Sequence, residues 1–422
     1  MLFSWHFGWA LSSGATGSAI YRFRIRTLAI GLILRYISFQ DQANGKSPAT
    51  LSDSLQTDTA SEGWKGFRTF KVIQKTLEDG NGAICSFYLR PEDRQSLPVF
   101  KPGQFLTFKL AIPTPGGTAE ELIRCYSLSD SPAHDTYRVS IKRVPTPNGT
   151  SLPPGRSSNF FHDHVHVGTS LAVRAPSGHF YLNHEASPVV LIGGGIGITP
   201  MLSMLNWIVN HQPEREVWLF YGVRNSAEVI MKAHLLALAA EHPNFKLHIC
   251  FSAPLPGDMM ARDFHHRGRI DVALLRTELP LKPFDFYICG PTPMMESLVD
   301  ALEDWGVPDS RIHFEAFGPA SIKRKSSIEP KVSESCTETV MVTFAKSNKQ
   351  FIWDGTSNSL LEFAESNGVK VESGCRAGGC GSCETRIQSG EVKFSHSPDF
   401  DSEPGNCLLC VCIPVTDVVL EA

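Results

Sequence analysis

The stretch Cys375-Arg376-Ala377-Gly378-Gly379-Cys380-Gly381-Ser382-Cys383 decides how this chain is read. It sets three cysteines at C-x4-C-x2-C spacing, and a second group follows in Cys407-Leu408-Leu409-Cys410-Val411-Cys412. A single free cysteine is usually core packing, but several at short fixed spacing point to a shared ligand. Gly374, Gly378, Gly379 and Gly381 suit a loop wrapped around that ligand, because such a backbone needs positive φ and unhindered N–H groups aimed inward. The glycines separate the stretch from an ordinary disulfide loop. Structural zinc is the main rival, and it usually takes paired C-x2-C spacings rather than x4 followed by x2.

Three thiolates at this spacing with a distal fourth form the plant-type [2Fe-2S] arrangement. The expected ligands are Cys375, Cys380, Cys383 and Cys410, with Cys407 and Cys412 as rivals for the last place. Six of the eleven cysteines lie from Cys375 onward. That favours a reducing compartment, mitochondrial or cytoplasmic, over a secreted disulfide framework. The sequence of 422 residues has room for about three domains at ~150 residues each. With 42% hydrophobic and 19% charged residues, wholesale disorder is excluded. Lysine and arginine total 39 against 43 acidic residues, and no basic block exceeds Lys323-Arg324-Lys325, which argues against a nucleic-acid partner.

Residues 1–61 form a separate segment. The first 40 hold no acidic residue and four arginines (Arg22, Arg24, Arg26, Arg35), the composition of an organelle transit peptide. A membrane anchor is the rival, though neither apolar run supplies the roughly 20 mostly apolar residues a spanning helix needs. A mis-assigned start is a third reading, and membrane association stays open. Residues 62–187 then show short strands at regular intervals (70–74, 83–89, 105–110, 137–142, 170–174), a pattern of small antiparallel barrels. From residue 188 to 320 strand and helix alternate, which implies a parallel α/β sheet. Within it Val189-Val-Leu-Ile192 is a buried strand, Gly193 to Pro200 the turn and 201–209 a helix, with Thr199 expected to cap it and Pro200 to open it. Residues 321–336 read as a tether. Residues 337–422 read as a hairpin around Ser347-Asn348-Lys349, a helix at 360–366, the cysteine loop and a closing segment at 411–420, an order that suits an α+β β-grasp domain.

Two stretches in the barrel, Arg124-Cys125-Tyr126-Ser127 and Gly155-Arg156-Ser157-Ser158-Asn159, resemble the R-x-Y-S and G-x-x-S-N flavin motifs of the ferredoxin-NADP+ reductase superfamily. The resemblance implies that Arg124 neutralises the flavin pyrophosphate, Tyr126 packs on the flavin and Ser127 bonds near its reactive nitrogen. Cys125, Ile141 and Lys142 line the same site, while Gly155, Ser157, Ser158 and Asn159 hold the second phosphate. The glycine turn, with Gly194, Gly195, Ile196, Gly197, Thr199 and Pro200, gives G-x-G-x-x-P. It lets helix N-terminal N–H groups approach a pyrophosphate closely. A glycine-rich tight turn with no ligand is the alternative. Cys289-Gly290-Pro291 resembles the family's turn at the nicotinamide, which makes Cys289 and Ser127 the expected catalytic positions, Cys289 by position rather than as a nucleophile. Arg224 resembles a residue near the adenosine ribose and leaves NADH against NADPH open. The resemblance places Phe317 near the flavin, with a core position at the end of a strand as the alternative. His162, His164 and His166 alternate and are expected on a strand surface rather than at a metal.

The domain order is similar to reductases of the phthalate dioxygenase reductase type. Ser158-Asn159 is closer to FAD-using reductases and flavohaemoglobin reductase modules, so FAD is the expected flavin. The resemblance implies an NAD(P)H-dependent oxidoreductase that feeds FAD, a [2Fe-2S] cluster and then a partner protein: an oxygenase, demethylase or haem protein. A redox-sensing adaptor that keeps the cofactors without turnover is the alternative.

Overall fold

The computed structural model describes residues 63–114, 117–132, 135–146, 149–317, 340–395, 398 and 400–422. The transit, anchor and tether expectations fall on residues outside this set. Among the described residues no helix is long and apolar enough to cross a membrane.

The first layer is an antiparallel sheet of β1 (Arg68–Leu77), β2 (Ile84–Pro91), β3 (Phe105–Pro113), β4 (Ala119–Ser127), β5 (Tyr137–Lys142) and β6 (Ser170–Ser177), in the order β4-β3-β6-β1-β2-β5. Its two ends meet through a bridge between Leu128 and Val139, so the sheet curls into a barrel. Alternation drives this: Phe70, Val72, Phe87, Leu89, Phe108 and Val173 point inward and share one core. The strand pattern missed β4 and the helix α1 (Arg156–His164). His162 and His164 therefore sit on a helix, contrary to the strand reading. His162 is buried, with Nε2 sharing a hydrogen bond with the Ile141 carbonyl at 2.9 Å.

The second layer is a wholly parallel sheet, β10-β9-β8-β7-β11-β12, built from β7 (Val189–Gly194), β8 (Val217–Val223), β9 (Phe245–Phe251), β10 (His266–Arg267), β11 (Asp285–Gly290) and β12 (Ile312–Ala316). Helices α2 (Ile198–His211), α3 (Lys232–Glu241), α4 (Val272–Glu278) and α5 (Thr292–Asp304) connect its strands. All six residues of β7 are buried. Leu191, Leu219 and Ile249 feed one core and Val190, Ile192, Phe220 and Ile288 the other. Each such side chain contributes roughly 1.5–3 kcal/mol of burial, which fixes β7 at the centre and its glycine turn at the sheet's carboxyl edge.

The third unit has a mixed sheet, β14-β13-β19-β15-β17, and a two-stranded pair, β16-β18. Its strands are β13 (Met341–Phe344), β14 (Lys349–Ile352), β15 (Glu384–Ser389), β16 (Val392–Phe394), β17 (Asn406–Leu408), β18 (Cys412–Pro414) and β19 (Val418–Leu420). Helix α6 (Leu360–Ser366) is capped by Ser359, which accepts from the Glu362 N–H, and packs on the unit's own core. The expected closing segment is divided into β18 and β19. The hairpin turn runs through Asn348 at φ +50, a left-handed conformation asparagine tolerates.

Candidate functional site

The R-x-Y-S stretch closes β4, so its side chains alternate between the two faces of the barrel wall. Tyr126 is joined to the first turn of α1 by a 2.7 Å hydrogen bond between its hydroxyl and that of Ser157. Its ring meets Phe161 edge-on at 5.2 Å, and burial pushes the phenol up to about 12. Half-buried Arg124 makes a 2.7 Å bond to the Ile123 carbonyl. In the second stretch the side chains staple backbone. Ser158 Oγ accepts from the Val144 N–H (3.2 Å) and donates to the Gly155 carbonyl (3.2 Å). Asn159 Nδ2 donates to the carbonyls of Val144 (2.8 Å) and Gly155 (2.7 Å). What this arrangement offers an anion is the amino end of α1 itself. Gly155 has to be glycine here, since an added Cβ would lie 2.8 Å from both Ser158 Oγ and Val144 Cβ. Ile141 is buried beside these elements and Lys142 ends β5 half-buried.

The glycine turn after β7 is a single turn of 3-10 helix, Gly195–Gly197, leading straight into α2 at Ile198. Helix α2 starts earlier than expected, so Thr199 is inside it and does not cap it; Thr199 Oγ1 instead donates to the Ile196 carbonyl at 3.0 Å. Pro200 likewise lies within the first turn, where its missing N–H costs nothing. Gly195 takes φ +54. Gly197 is pressed on β11, where an added Cβ would be 2.2 Å from the Cys289 carbonyl oxygen. A Cβ added at Gly194 would lie 2.7 Å from Met294 Sδ and 2.8 Å from Pro291 Cδ. The turn after β7 and the Cys289-Gly290-Pro291 turn are therefore one packed surface.

Glu315, on β12, was not singled out in the sequence. It joins the barrel to the parallel sheet: Ser127 Oγ, at the end of β4, approaches its Oε2 at 3.5 Å, and desolvation pushes the carboxyl up to about 8, against the pull of the Ser127 hydroxyl. Burial, with a smaller push from Glu315, raises the Cys289 thiol well above its ordinary value, so it stays protonated at neutral pH. That is not an activated nucleophile. Phe317 follows β12 and is 42% exposed, so the core reading of this residue is corrected: the chain leaves the sheet at Ala316. Arg224 is spent on Glu228, its Nε donating to Oε1 at 2.5 Å.

In the cysteine loop the thiols fall into two neighbouring sets. Thiol donors, Cys125 and Cys375, pull Cys380 toward the thiolate, and Cys410 does the same for Cys383. The Cys375 sulfur accepts N–H groups from Ala377 (3.4 Å) and Gly379 (3.3 Å), and the Cys380 sulfur accepts one from Cys375 (3.2 Å). Soft sulfur donors ringed by backbone N–H groups fit an iron–sulfur cluster. Cys407 and Cys412 instead neighbour each other inside the core, both fully buried. The glycine reading needs one correction. Gly378 and Gly381 do take positive φ (+73 and +70), but Gly374 and Gly379 do not. Those two are needed for closeness: a Cβ on Gly374 would sit 2.9 Å from Cys380 Sγ, and one on Gly379 3.0 Å from Ser177 Oγ. Arg376, with φ +58, takes the third left-handed position.

Comparison with known proteins matches three family models in sequence order. They are the oxidoreductase FAD-binding domain (residues 69–181), the oxidoreductase NAD-binding domain (191–300) and the 2Fe-2S iron-sulfur cluster binding domain (342–415). Among curated relatives, a flavohemoprotein of Halalkalibacterium halodurans is 40% identical over 266 residues, covering 63% of each chain. The chain thus spans 60–63% of the length of the curated flavohemoproteins it matches. Among solved structures, the flavohem-like FAD/NAD-binding domain of nitric oxide dioxygenase from Vibrio cholerae is 33% identical with a TM-score of 0.53, covering 60% of this chain and 100% of that one. Phthalate dioxygenase reductase, described as a modular structure for electron transfer from pyridine nucleotides to [2Fe-2S], is 27% identical with a TM-score of 0.50, covering 85% of this chain and 98% of that one. FAD-binding, NAD-binding and [2Fe-2S] domains are all present, and the chain belongs to the ferredoxin-NADP+ reductase superfamily, as a flavoprotein with a C-terminal plant-type ferredoxin domain.

Proposed function

We propose that this chain draws electrons from NADH or NADPH and passes them singly, through FAD and a [2Fe-2S] cluster, to a separate acceptor protein. The observation that carries this reading is one strand, β4. At Ser127 it meets Glu315 of the parallel-sheet domain, and at Cys125 it meets the thiols of Cys375 and Cys380. Bound FAD supplies the conversion of a two-electron hydride into single electrons, and the bound cluster carries one electron at a time. Everything else falls to the protein: Arg124 and the start of α1 hold the flavin phosphates, the turns at Gly195 and Gly290 seat the nicotinamide nucleotide, and Cys375, Cys380, Cys383 and Cys410 hold the cluster. No side chain is required as a general acid or base, because the work is positioning.

Glu228 already occupies Arg224, so a 2′-phosphate would have to displace a carboxylate; we therefore infer a preference for NADH. The names of the relatives, flavohemoprotein and phthalate dioxygenase reductase, support a haem protein or an oxygenase as the acceptor class. The unpaired thiols support a reducing compartment. Steady reduction of cytochrome c by purified protein with NADH tests the proposal. Cofactor binding without that turnover would instead support the adaptor role.

A further inference from the structure

Arg174 lies on β6, between the inward Val173 and the half-buried Ala175, and its side chain leaves the barrel on the outer face. An arginine there would ordinarily end in water. Instead its Nη1 donates to the Cys380 carbonyl at 2.6 Å, and its guanidinium lies 4.6 Å from the ring centres of both Phe67 and Phe400. One ring belongs to the flavin-domain side and the other to the ferredoxin unit, so the cation is sandwiched across the boundary. Further along β6, Ser177 Oγ approaches the Gly379 carbonyl at 3.5 Å, and the bare Cα of Gly379 rests against Ser177 and Phe105. Two successive carbonyls of the cluster loop thus dock on a single barrel strand. Next to β6 in the sheet is β3, and beyond it β4, whose Cys125 thiol neighbours Cys375 and Cys380.

Building on the electron route above, we propose that Arg174 is the positioning residue that couples the two redox domains. Its guanidinium clamps the cluster loop onto the flavin barrel, and its charge favours the reduced cluster. The electrostatics follow from charge counting. One electron leaves the reduced flavin and enters the cluster, which becomes one unit more negative, while Arg174 neither gains nor loses a proton. A half-buried cation held beside a ligand's carbonyl stabilises that added charge, and its partial burial weakens screening by salt. Arginine suits both tasks, since its planar fork can stack between rings while donating, which an ammonium group cannot match.

The test uses the full chain loaded with FAD and cluster, as wild type, Arg174→Met and Arg174→Lys. The cluster's midpoint potential is read by electron paramagnetic resonance during a redox titration, and backbone hydrogen exchange is followed over residues 375–383. In Arg174→Met the reduction equilibrium should fall about tenfold, equal to about 59 mV for a one-electron couple, and exchange in the loop should rise. Arg174→Lys should keep the midpoint but still show faster exchange, because it retains charge without the stacked fork. Flavin reduction by NADH should be unchanged in both. A wild-type midpoint in Arg174→Met overturns the electrostatic claim, and unchanged exchange in both variants overturns the clamp. If Arg174→Met takes up no cluster, the lysine variant decides: a lowered midpoint or wild-type exchange there overturns the proposal. Absence of a reduced-cluster signal in wild type given NADH would strike the electron route itself, a separate failure.

Discussion

Cys410 and its two neighbours differ in direction rather than chemistry. A single turn of 3-10 helix, Leu409–Val411, aims Cys410 at Cys383 and leaves Cys407 and Cys412 facing each other in the core. Cys410→Ala should therefore abolish the visible cluster spectrum. Cys407→Ala or Cys412→Ala should keep it at a stability cost of about 1 kcal/mol, and spectral loss in either would reassign the fourth ligand. Glu315 gives a second residue-scale prediction. Its carboxyl ionises at about 8 in the folded protein against an ordinary value of 4.5, so the native state holds the proton more tightly. In flavin-free protein the corresponding stability is complete at low pH and is lost as pH rises from about 4.5 through about 8. Urea midpoints at about pH 6 and about pH 9 should show this loss, and Glu315→Gln should flatten it. An equal loss in the variant would assign the pH dependence to other groups.

At the scale of elements, the turn after β7 works by contact. Gly197→Ala would drive a methyl group into the Cys289 carbonyl, against backbone that cannot swing aside. We expect a loss of at least about 2 kcal/mol together with weaker NADH binding, measured by urea unfolding and fluorescence titration. A fully stable Gly197→Ala with wild-type affinity would contradict the packed-turn description. This turn also shows what a sequence reveals. Val189–Ile192 was legible because a short apolar run bounded by glycines has few alternatives, and the cysteine spacing was legible because it is local. Thr199 was misread as a cap because nothing in the sequence marks a 3-10 turn ahead of α2. Strand β4 was passed over because its first three residues, Ala119, Glu120 and Glu121, are exposed and two of them are charged. Arg174 and Glu315 could not be found at all, since each acquires its role from a partner far away along the chain, Cys380 and Ser127 respectively.

At the scale of the molecule, the ferredoxin unit has a core of its own, formed by Val342, Phe344, Leu361, Phe363, Leu408 and Leu420 with their neighbours, while the barrel and the parallel sheet have theirs. The proposed cluster ligands are spread over the loop and the turn before β18, so metal–thiolate bonds to them would tie that small core together. Removing the iron with a chelator should raise hydrogen exchange across residues 340–422 and leave β7, β8 and β11 protected. Uniform loss of protection would mean that the units unfold as one. The central claim, that electrons from a nicotinamide reach the cluster by way of the flavin, is tested most directly by anaerobic titration of the purified chain with NADH, followed by absorbance and electron paramagnetic resonance together. The account predicts flavin bleaching accompanied by the signal of a one-electron-reduced [2Fe-2S] cluster, with the signal alone lost in Cys380→Ser. A bleached flavin beside an intact but permanently oxidised cluster would contradict it.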